Sequence, residues 1–534
     1  MSVYKKMQQV IDKADLKSLG LIYRGLEKEN MRIDSHGYIA LTDHPRALGS
    51  ALTNPWVTTD FSESLVEVVT PAVASLSQLK QDISTISQFC YARLNKDELF
   101  WPASMPSCLN ESDIRLAYYG KNNSGKMKQV YRHGLAERYG KTMQMIAGIH
   151  YNISFSQALF ESLWRYDGKS CSLAEYTNQR YMGLVRNFFR YGWLLPYLFG
   201  ASPIASGRSV SESFDFLQAQ GQDYIGPYAT SLRLSRLGYQ NKGKHLMHMS
   251  YNSVEEYASS ILQATRTPYA PFSKLGICSK DKAGQRHYTQ LNDALLQIEN
   301  EYYSPMRPKQ PAERCKRPVA SLLEKGVCYI ELRALDLNPF EPLGFEAGEL
   351  EFVDLFLLFC LLEDSPVLSA AELADTELCL QQVAEYGRKP GLMLTIQGRQ
   401  VSLQDAAERL FEALLPLAEC LDAEQAQAGS YLIALNANYK KLTDISLIPS
   451  AKLLDEFLAS GINYTEFMLK YACKHQDYWQ QQAINPVDFQ RFDDLAKQSL
   501  VEFENIEQAE QVPFEEYLAR YFQQGDAKKL GNSM

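Results

Sequence analysis

The stretch from residue 144 to residue 155 constrains the fold most, because an apolar residue stands at every second position. Successive side chains of a strand point to opposite faces of the sheet, so one face of this predicted strand is wholly apolar: Met145, Ala147, Ile149, Tyr151, Ile153 and Phe155. The other face carries Gln144, Ile146, Gly148, His150, Asn152 and Ser154. We expect such a strand to pack its apolar face on helices and to turn the other face to a polar cavity.

Three more stretches predict strands with one apolar face, called the back here, and one polar face, called the front. The first follows Leu21 and Ile22, the second spans residues 64 to 70, and the third spans residues 327 to 335. The charged residues on these fronts are Glu27 and Glu29, then Glu67, then Glu331 and Arg333. We therefore expect the four fronts to pool their polar groups on one concave surface, with Asp60 at its mouth.

Each of these polar groups also has a plainer interpretation. Glu27 and Glu29 fit a solvent-facing edge strand, and His150 fits a hydrogen-bonded structural histidine. Glu331 and Arg333 fit a cross-strand ion pair. So many carboxylates on one surface nevertheless repel each other unless the surface is wet or holds cations. The cluster as a whole therefore predicts divalent metal ions.

Composition restricts the class of protein. The chain has 534 residues, more than one compact core usually organises, and its 46% hydrophobic and 11% aromatic content indicates an ordered globular protein. A formal net charge of -9 argues against a general nucleic-acid binder. The ten cysteines include no CxxC pair, so neither a zinc site nor a disulfide framework is indicated. With no apolar run of membrane-spanning length and no apolar signal-peptide core, we expect a cytoplasmic protein without a membrane partner.

Helical patterns surround the predicted strands. Residues 3 to 11 have apolar side chains at helical spacing, and the chain is mostly helical after residue 346, apart from a predicted strand at 392 to 396. We therefore predict an α+β fold. Its catalytic core is expected to span residues 1 to 400, and a mainly helical region over residues 401 to 534 is expected to pack on that core.

The acidic surface also predicts a type of ligand. Hard cations take oxygen ligands, and Mg²⁺ sites commonly share carboxylates with substrate phosphates. Acids spread over four strands therefore suggest more than one Mg²⁺ around a nucleoside triphosphate. The chain contains neither a GxxxxGK[ST] nor a GxGxxG motif, which leaves an ATP site built on an antiparallel sheet.

Eight sequence blocks carry a resemblance to a known family. They are RGLEKENMR, ALTNPWVTTDFSESLVEVVTP, WPASMP, GIHYNISF, PYATSLRLS, LQIENEYYSPMRP, YIELRALDLNPF and GRKPGL. In their order and spacing, from about residue 17 to about residue 400, they resemble glutamate–cysteine ligase of the bacterial, glutamine-synthetase-like type.

The resemblance implies a fold and a reaction. The fold is a curved antiparallel sheet that forms a funnel-like active site, with helices on its outer face and a glutamine-synthetase-like core. The reaction joins the γ-carboxylate of L-glutamate to the α-amine of L-cysteine, while ATP becomes ADP and phosphate. The implied cofactor is more than one Mg²⁺, with Mn²⁺ as a substitute. A monomer is implied, and glutathione is implied as a feedback inhibitor.

The resemblance also implies roles for individual residues. The metal ligands of the family match Glu27, Glu29, Asp60, Glu67, His150 and Glu331. The catalytic arginines near the transferred phosphate and the acyl centre match Arg132 and Arg333. The substrate-binding positions match Arg233 for the glutamate carboxylate, Tyr239 and Tyr303 for the cysteine carboxylate, Phe61, Leu135 and Gln144 around the thiol, and Tyr131. Asn300 is the implied residue on the nucleotide side.

Three other functions fit the same acids. A relative could use γ-glutamyl phosphate with another amine acceptor, which exchange of the acceptor in a phosphate-release assay would detect. A metal-dependent phosphohydrolase would release phosphate from ATP without glutamate. A non-catalytic nucleotide-binding protein would bind ATP without turnover.

Overall fold

The computed structural model describes residues 3–13, 22–107, 109–210, 212–280, 286–424, 429–509 and 511–524. Leu21, at the predicted start of the first strand, and residues 525–534 lie outside this part. The strands are β1 (Ile22–Asp34), β2 (Val57–Thr59), β3 (Leu65–Val69), β4 (Glu98–Phe100), β5 (Ile149–Phe155), β6 (Ile204–Ser206), β7 (Gln218–Gln220), β8 (Asp223–Ile225), β9 (Cys278–Lys280), β10 (Arg286–Tyr288), β11 (Met306–Lys309), β12 (Tyr329–Leu335), β13 (Met393–Ile396) and β14 (Arg399–Ser402).

The α-helices cover much of the remaining chain, and most of those after residue 346 follow one another closely. They are α1 (Val3–Lys13), α2 (Leu76–Ala92), α3 (Asn123–Tyr139), α4 (Gln157–Asp167), α5 (Leu173–Tyr191), α6 (Leu194–Phe199), α7 (Val254–Ala264), α8 (Ala270–Ser273), α9 (Pro318–Lys325), α10 (Glu349–Leu362), α11 (Ala370–Tyr386), α12 (Leu403–Glu424), α13 (Ser430–Thr443), α14 (Pro449–Ser460), α15 (Tyr464–Gln481), α16 (Pro486–Gln508) and α17 (Phe514–Phe522). Among the described helices, none is long and apolar enough to cross a membrane.

The main sheet is antiparallel and holds the four strands that the sequence singles out. Its order is β11-β12-β5-β1-β3-β2, and β4 pairs with β1 beside this series. The register sets Glu27 opposite His150 and Glu29 opposite Glu67. Because directly opposed residues of an antiparallel pair share a face, the predicted acids lie on one side of the sheet. The predicted α+β class is confirmed.

The apolar side of the sheet packs on the long helices. A buried ion pair of 2.7 Å joins Arg24 on β1 to Asp354 on α10, and Tyr151 on β5 donates a hydrogen bond of 2.6 Å to the same carboxylate. The apolar core is continuous from Met7 to Phe492 and so contains residues on both sides of position 400. The division into residues 1–400 and 401–534 stays a prediction.

One sequence prediction needs correction. The strand predicted from residue 144 begins only at Ile149, because residues 142–145 form a 3₁₀ helix and the amide of Ala147 donates to the Ser104 carbonyl instead of a strand neighbour. Gln144 therefore lies on this 3₁₀ turn. The strand predicted at 392–396 is confirmed as β13, which pairs with β14 in a hairpin. A further 3₁₀ helix spans Leu232–Leu234.

His475 makes the stability of the fold depend on pH. Its side chain is 5% exposed on α15, and burial together with the charge of Lys28 lowers its pKa to about 4. Since the pKa of histidine in an unfolded chain is about 6.5, only the unfolded state gains a proton between these values. We expect the free energy of unfolding to fall by about 2 kcal/mol from this group between pH 7.5 and pH 5.

Urea unfolding of wild type and His475→Gln at both pH values measures this contribution. The variant should lose less stability than wild type on acidification, whereas substitution of the exposed His36 by glutamine should leave the wild-type pH dependence in place. An equal loss in wild type and His475→Gln would contradict the expected role of His475.

Candidate active site

The polar side of the main sheet faces a cavity. Residues of α3 and of the 3₁₀ helices at 142–145 and 232–234 complete the wall of this cavity. Its walls are Glu29, Asp60, Phe61, Tyr131, Arg132, Leu135, Met143, Gln144, Ile146, His150, Arg233, Tyr239, Asn300, Tyr303, Arg307 and Arg333. We refer to this space as the reaction cavity. Every residue predicted for the site lines it except Glu27, Glu67 and Glu331. Glu27 shares β1 with Glu29, Glu331 shares β12 with Arg333, and Glu67 on β3 is opposite Glu29 in register.

His150 joins two carboxylates at the floor of the reaction cavity. Its Nδ1 lies 3.0 Å from Oε2 of Glu27, and its Nε2 lies 3.6 Å from Oε1 of Glu29. One ligand atom each from Glu27, His150 and Glu331 fall within 4.8 Å of one another. Carboxylate oxygens and imidazole nitrogens are both metal ligands. These three residues could therefore hold one metal ion between them.

Glu29 and Glu67 have less charge compensation from the protein. Burial raises the pKa of Glu29, even though the amide of Gly148 donates a hydrogen bond of 3.0 Å to its Oε2. Burial and then the charges of Glu27 and Asp60 raise the pKa of Glu67 well above its usual value. Carboxylates whose charge is disfavoured in this way are stabilised when a cation binds.

Glu331 and Glu27 differ from this pair because their charges are already offset. Burial alone would raise the pKa of Glu331, but Lys309 and Arg333 outweigh it and hold the pKa well below its usual range. Lys309 lies 3.2 Å and Arg333 3.4 Å from its carboxylate. The alternative ion pair of Glu331 and Arg333 is thus present, although within β12 and not across strands. At Glu27 the hydrogen bond with His150 likewise outweighs burial and lowers the pKa.

Two arginines are fixed in the wall of the reaction cavity by backbone carbonyls. Arg233 donates a hydrogen bond of 2.6 Å to the carbonyl of Arg333, and its Nη1 lies 3.7 Å from the buried carboxylate of Asp336. Arg132 on α3 donates to the carbonyl of Asp60 and lies 4.5 Å above the ring centroid of Tyr119. Guanidinium groups held in this way are preorganised for an anionic ligand.

Aromatic side chains form another part of the wall of the reaction cavity, which we call the aromatic wall. The ring centroids of Tyr239 and Tyr303 are 5.2 Å apart, and burial raises the pKa values of Tyr239 and Tyr131 above their ordinary values. These two phenols therefore stay neutral and can donate hydrogen bonds at physiological pH. The remaining predicted residues of this wall are Phe61, Leu135, Gln144 and Asn300.

Sequence reasoning missed three residues of the cavity wall. Arg307 on β11 is opposite Glu331 in register, and burial followed by the charge of Arg333 lowers its pKa. Its segment, residues 299–309, mixes tyrosines, acids and bases around a proline, and this composition was a usable signal. Met143 precedes the predicted strand and carried no signal. The alternation placed Ile146 on the face toward the cavity, but an apolar side chain there was not a candidate for the chemistry.

Comparisons with known proteins agree with the geometry. The family described as glutamate-cysteine ligase matches residues 7–383. The glutamate–cysteine ligase of Alcanivorax borkumensis is 41% identical over 508 residues, which cover 95% of this chain and 96% of the relative. That of Pseudomonas aeruginosa is 41% identical over 511 residues, with 95% of each chain covered.

Solved structures point to the same family. A crystal structure of the glutamate–cysteine ligase from Francisella tularensis in complex with AMP matches with a TM-score of 0.87 and 35% identity, covering 96% of this chain and 98% of that one. A bifunctional glutathione synthetase from Pasteurella multocida matches with a TM-score of 0.72 and 25% identity, over 92% of this chain and 58% of that one. From the matched family and these relatives we conclude that the chain belongs to the glutamate–cysteine ligase family.

Proposed function

We propose that the protein joins the γ-carboxylate of L-glutamate to the α-amine of L-cysteine at the expense of ATP, giving γ-glutamylcysteine, ADP and phosphate. The observation that carries the proposal is the meeting of buried carboxylates, arginines and an aromatic wall in one cavity. Such a cavity combines groups that hold cations, groups that hold anions and a surface for an uncharged side chain. Family membership and the AMP complex of the Francisella tularensis relative support a nucleotide substrate.

The chemistry requires an activated carboxylate. A free carboxylate is a poor electrophile, so an oxygen of the γ-carboxylate first takes the terminal phosphoryl group of ATP, and ADP leaves. The amine nitrogen of cysteine then forms a bond to the acyl carbon, phosphate leaves with the bonding electrons, and the amine loses a proton. Phosphoryl transfer depends mainly on positioning and on charge neutralisation, which a cavity with four wall arginines can provide.

The acidic residues fit a magnesium centre. Glu27, Glu29, Glu67, His150 and Glu331 supply oxygen and nitrogen ligands, with Asp60 at the mouth. The raised pKa values of Glu29 and Glu67 indicate carboxylates whose burial the nearby positive groups do not fully offset. We propose that these residues hold more than one Mg²⁺, or Mn²⁺ in its place. When bound, such ions neutralise charge on the phosphates of the nucleotide. We propose Asp60 or Glu67 as the group that accepts the amine proton.

The remaining residues fit binding and charge-stabilising roles. Arg132 and Arg333 can offset the charge of the transferred phosphoryl group and of the oxyanion at the acyl carbon. The fixed guanidinium of Arg233 suits the α-carboxylate of glutamate. We assign the acceptor side to the aromatic wall: the hydroxyls of Tyr239 and Tyr303 to the cysteine carboxylate, and Phe61, Tyr131, Leu135 and Gln144 to the thiol. Asn300 is proposed to lie beside the nucleotide.

Four broader features belong to the same proposal. The main sheet is proposed to curve into a funnel on a glutamine-synthetase-like core, and the enzyme is proposed to act as a monomer. Glutathione, which contains the γ-glutamyl-cysteine pair, is proposed to occupy the same pockets and to inhibit in competition with glutamate. Non-competitive inhibition would instead indicate a separate site for glutathione.

An oxygen-isotope experiment tests the acyl-phosphate step. Glutamate labelled with ¹⁸O in the γ-carboxylate should transfer one labelled oxygen to each phosphate released, because the carboxylate oxygen becomes the bridge to phosphorus. Phosphate released without the label would contradict the proposed activation and would favour direct hydrolysis of ATP.

The carboxylate cluster also predicts how metal removal affects stability. In EDTA, Glu67→Gln should melt at a higher temperature than wild type, because the substitution removes a buried carboxylate whose charge is disfavoured. Mg²⁺ should raise the Tm of wild type by about 2 °C or more and that of the variant by less. Scanning calorimetry with EDTA and with excess Mg²⁺ measures both shifts. A wild-type Tm that does not respond to Mg²⁺ would contradict the metal assignment.

A further inference from the structure

A second cavity of about 360 Å³ lies next to the reaction cavity. It lies between α5, α11 and the loops around residues 234–244 and 303–305. Its apolar walls include Phe188, Phe189 and Leu234, and the Lys244–Glu377 ion pair of 3.0 Å stands among its lining residues. A volume of this size falls at the lower end of the range for small-molecule pockets. Nothing in the proposed reaction uses this space.

Tyr303 is the residue that the two cavities share, since it lines both of them. Its position is set by a hydrogen bond of 2.7 Å from its amide to Oδ1 of Asn241 and by the contact of its ring with Tyr239 at 5.2 Å between centroids. Its hydroxyl is buried and finds no hydrogen-bond partner in the described part of the chain. A buried phenol without a partner is costly unless a ligand or water completes its hydrogen bonding.

We propose that the ring of Tyr303 is the partition between the two cavities and that it limits the size of the amine acceptor. This inference rests on the proposed function. An acceptor as short as cysteine stays on the reaction side of the ring. A dipeptide that begins with cysteine needs room for a further residue, and the ring closes the second cavity to that extension. The bond formed is unchanged: the acceptor amine attacks the acyl carbon, phosphate leaves, and one amine proton is lost.

The test compares kcat/KM for L-cysteine and for cysteinylglycine in three proteins: wild type, Tyr303→Phe and Tyr303→Ala. Tyr303→Phe keeps the ring and should keep the wild-type preference for cysteine, although the absolute rates can fall with the loss of the hydroxyl. Tyr303→Ala opens the partition and should shift the ratio toward the dipeptide by at least about 10-fold. A ratio in Tyr303→Ala equal to that of wild type would overturn the proposal.

A variant that fills the second cavity tests the proposal independently. Ala374 lines it on α11 and is exposed at its rim, so phenylalanine at this position can enter the space without disturbing the core. Ala374→Phe alone should leave the kinetics with cysteine unchanged. Combined with Tyr303→Ala, it should remove the gain for the dipeptide. A gain that persists in the double variant would show that the second cavity does not receive the extension and would overturn the proposal.

Two readouts keep the result interpretable. If Tyr303→Ala turns over too slowly for kinetics, calorimetry measures the binding of cysteinylglycine in the presence of glutamate and a non-hydrolysable ATP analogue. Tighter binding to the variant than to wild type supports the partition. Equal or weaker binding overturns it. Wild type with cysteine tests the proposed function separately. Formation of γ-glutamylcysteine there, together with an unmoved acceptor ratio in Tyr303→Ala, would reject the partition alone.

Discussion

Glu331→Gln should lower kcat for γ-glutamylcysteine formation on the order of 100-fold or more while the protein stays folded, a loss in the range seen when one preorganised charged group is removed from an active site. Glu331 is 2% exposed, and one of its oxygens lies within 4.8 Å of ligand atoms of Glu27 and His150. The amide keeps the shape of the side chain but removes its charge. Steady-state kinetics over a range of Mg²⁺ concentrations should show a loss that excess metal restores only in part.

A matched variant separates the metal role from a structural ion pair. Glu351 on α10 forms an ion pair of 2.6 Å with Lys80, of the same type as the pair of Glu331 with Lys309 but away from the reaction cavity. Glu351→Gln should therefore leave kcat near the wild-type value. Equal kcat for Glu331→Gln and wild type at saturating Mg²⁺ would remove Glu331 from the metal centre and leave it as a partner of Lys309 and Arg333.

Gly148→Ala should raise the KM for glutamate about 100-fold, the size of effect expected when a binding group is displaced by about 1 Å. A Cβ added at Gly148 would stand 2.3 Å from Nη2 and 2.5 Å from Cζ of Arg233. The flexible end of the arginine can move away, so the fold survives while the guanidinium leaves its place beside the carbonyl of Arg333. Circular dichroism and a melting curve near those of wild type would accompany the loss of affinity.

Gly25 offers the control for this substitution. It lies on β1, and a Cβ there would meet its nearest atoms, the Cβ of Asn152 and the carbonyl of Thr70, at an ordinary 3.7 Å. Gly25→Ala should therefore keep the wild-type KM for glutamate. If Gly148→Ala binds glutamate as tightly as Gly25→Ala does, Arg233 is not the residue that holds the substrate carboxylate.

The sequence predicts those parts of the site that depend on local alternation. Glu67 and Glu331 could be assigned to one polar surface because each stands on a strand whose other face is apolar, and Glu27 and Glu29 because they share one face of β1. The register of the sheet brings the four together as expected. Local alternation does not reveal at which residue a strand begins. Residues 144–147 continue the pattern of β5, yet the amides of Gln144 and Ile146 donate within a 3₁₀ turn and that of Ala147 donates to the loop carbonyl of Ser104.

Other features depend on contacts between distant parts of the chain. Arg307 became a cavity residue because β11 pairs with β12, and that pairing sets it opposite Glu331. The second cavity is formed by α5, α11 and the loop of Tyr303, and no single stretch of sequence carries its outline. The catalytic and substrate-binding roles came from the resemblance to the family, since spacing alone could not distinguish an arginine for a phosphate from one for a carboxylate.

The most direct test of the account is phosphate release from Mg²⁺-ATP with glutamate and cysteine both present and with each omitted in turn. We expect sustained release only with both amino acids, and γ-glutamylcysteine as the product detected by mass spectrometry. Release that needs glutamate but does not change with cysteine would retain the acyl phosphate and contradict the assigned acceptor. Equal release in the absence of glutamate would contradict the ligase reaction itself.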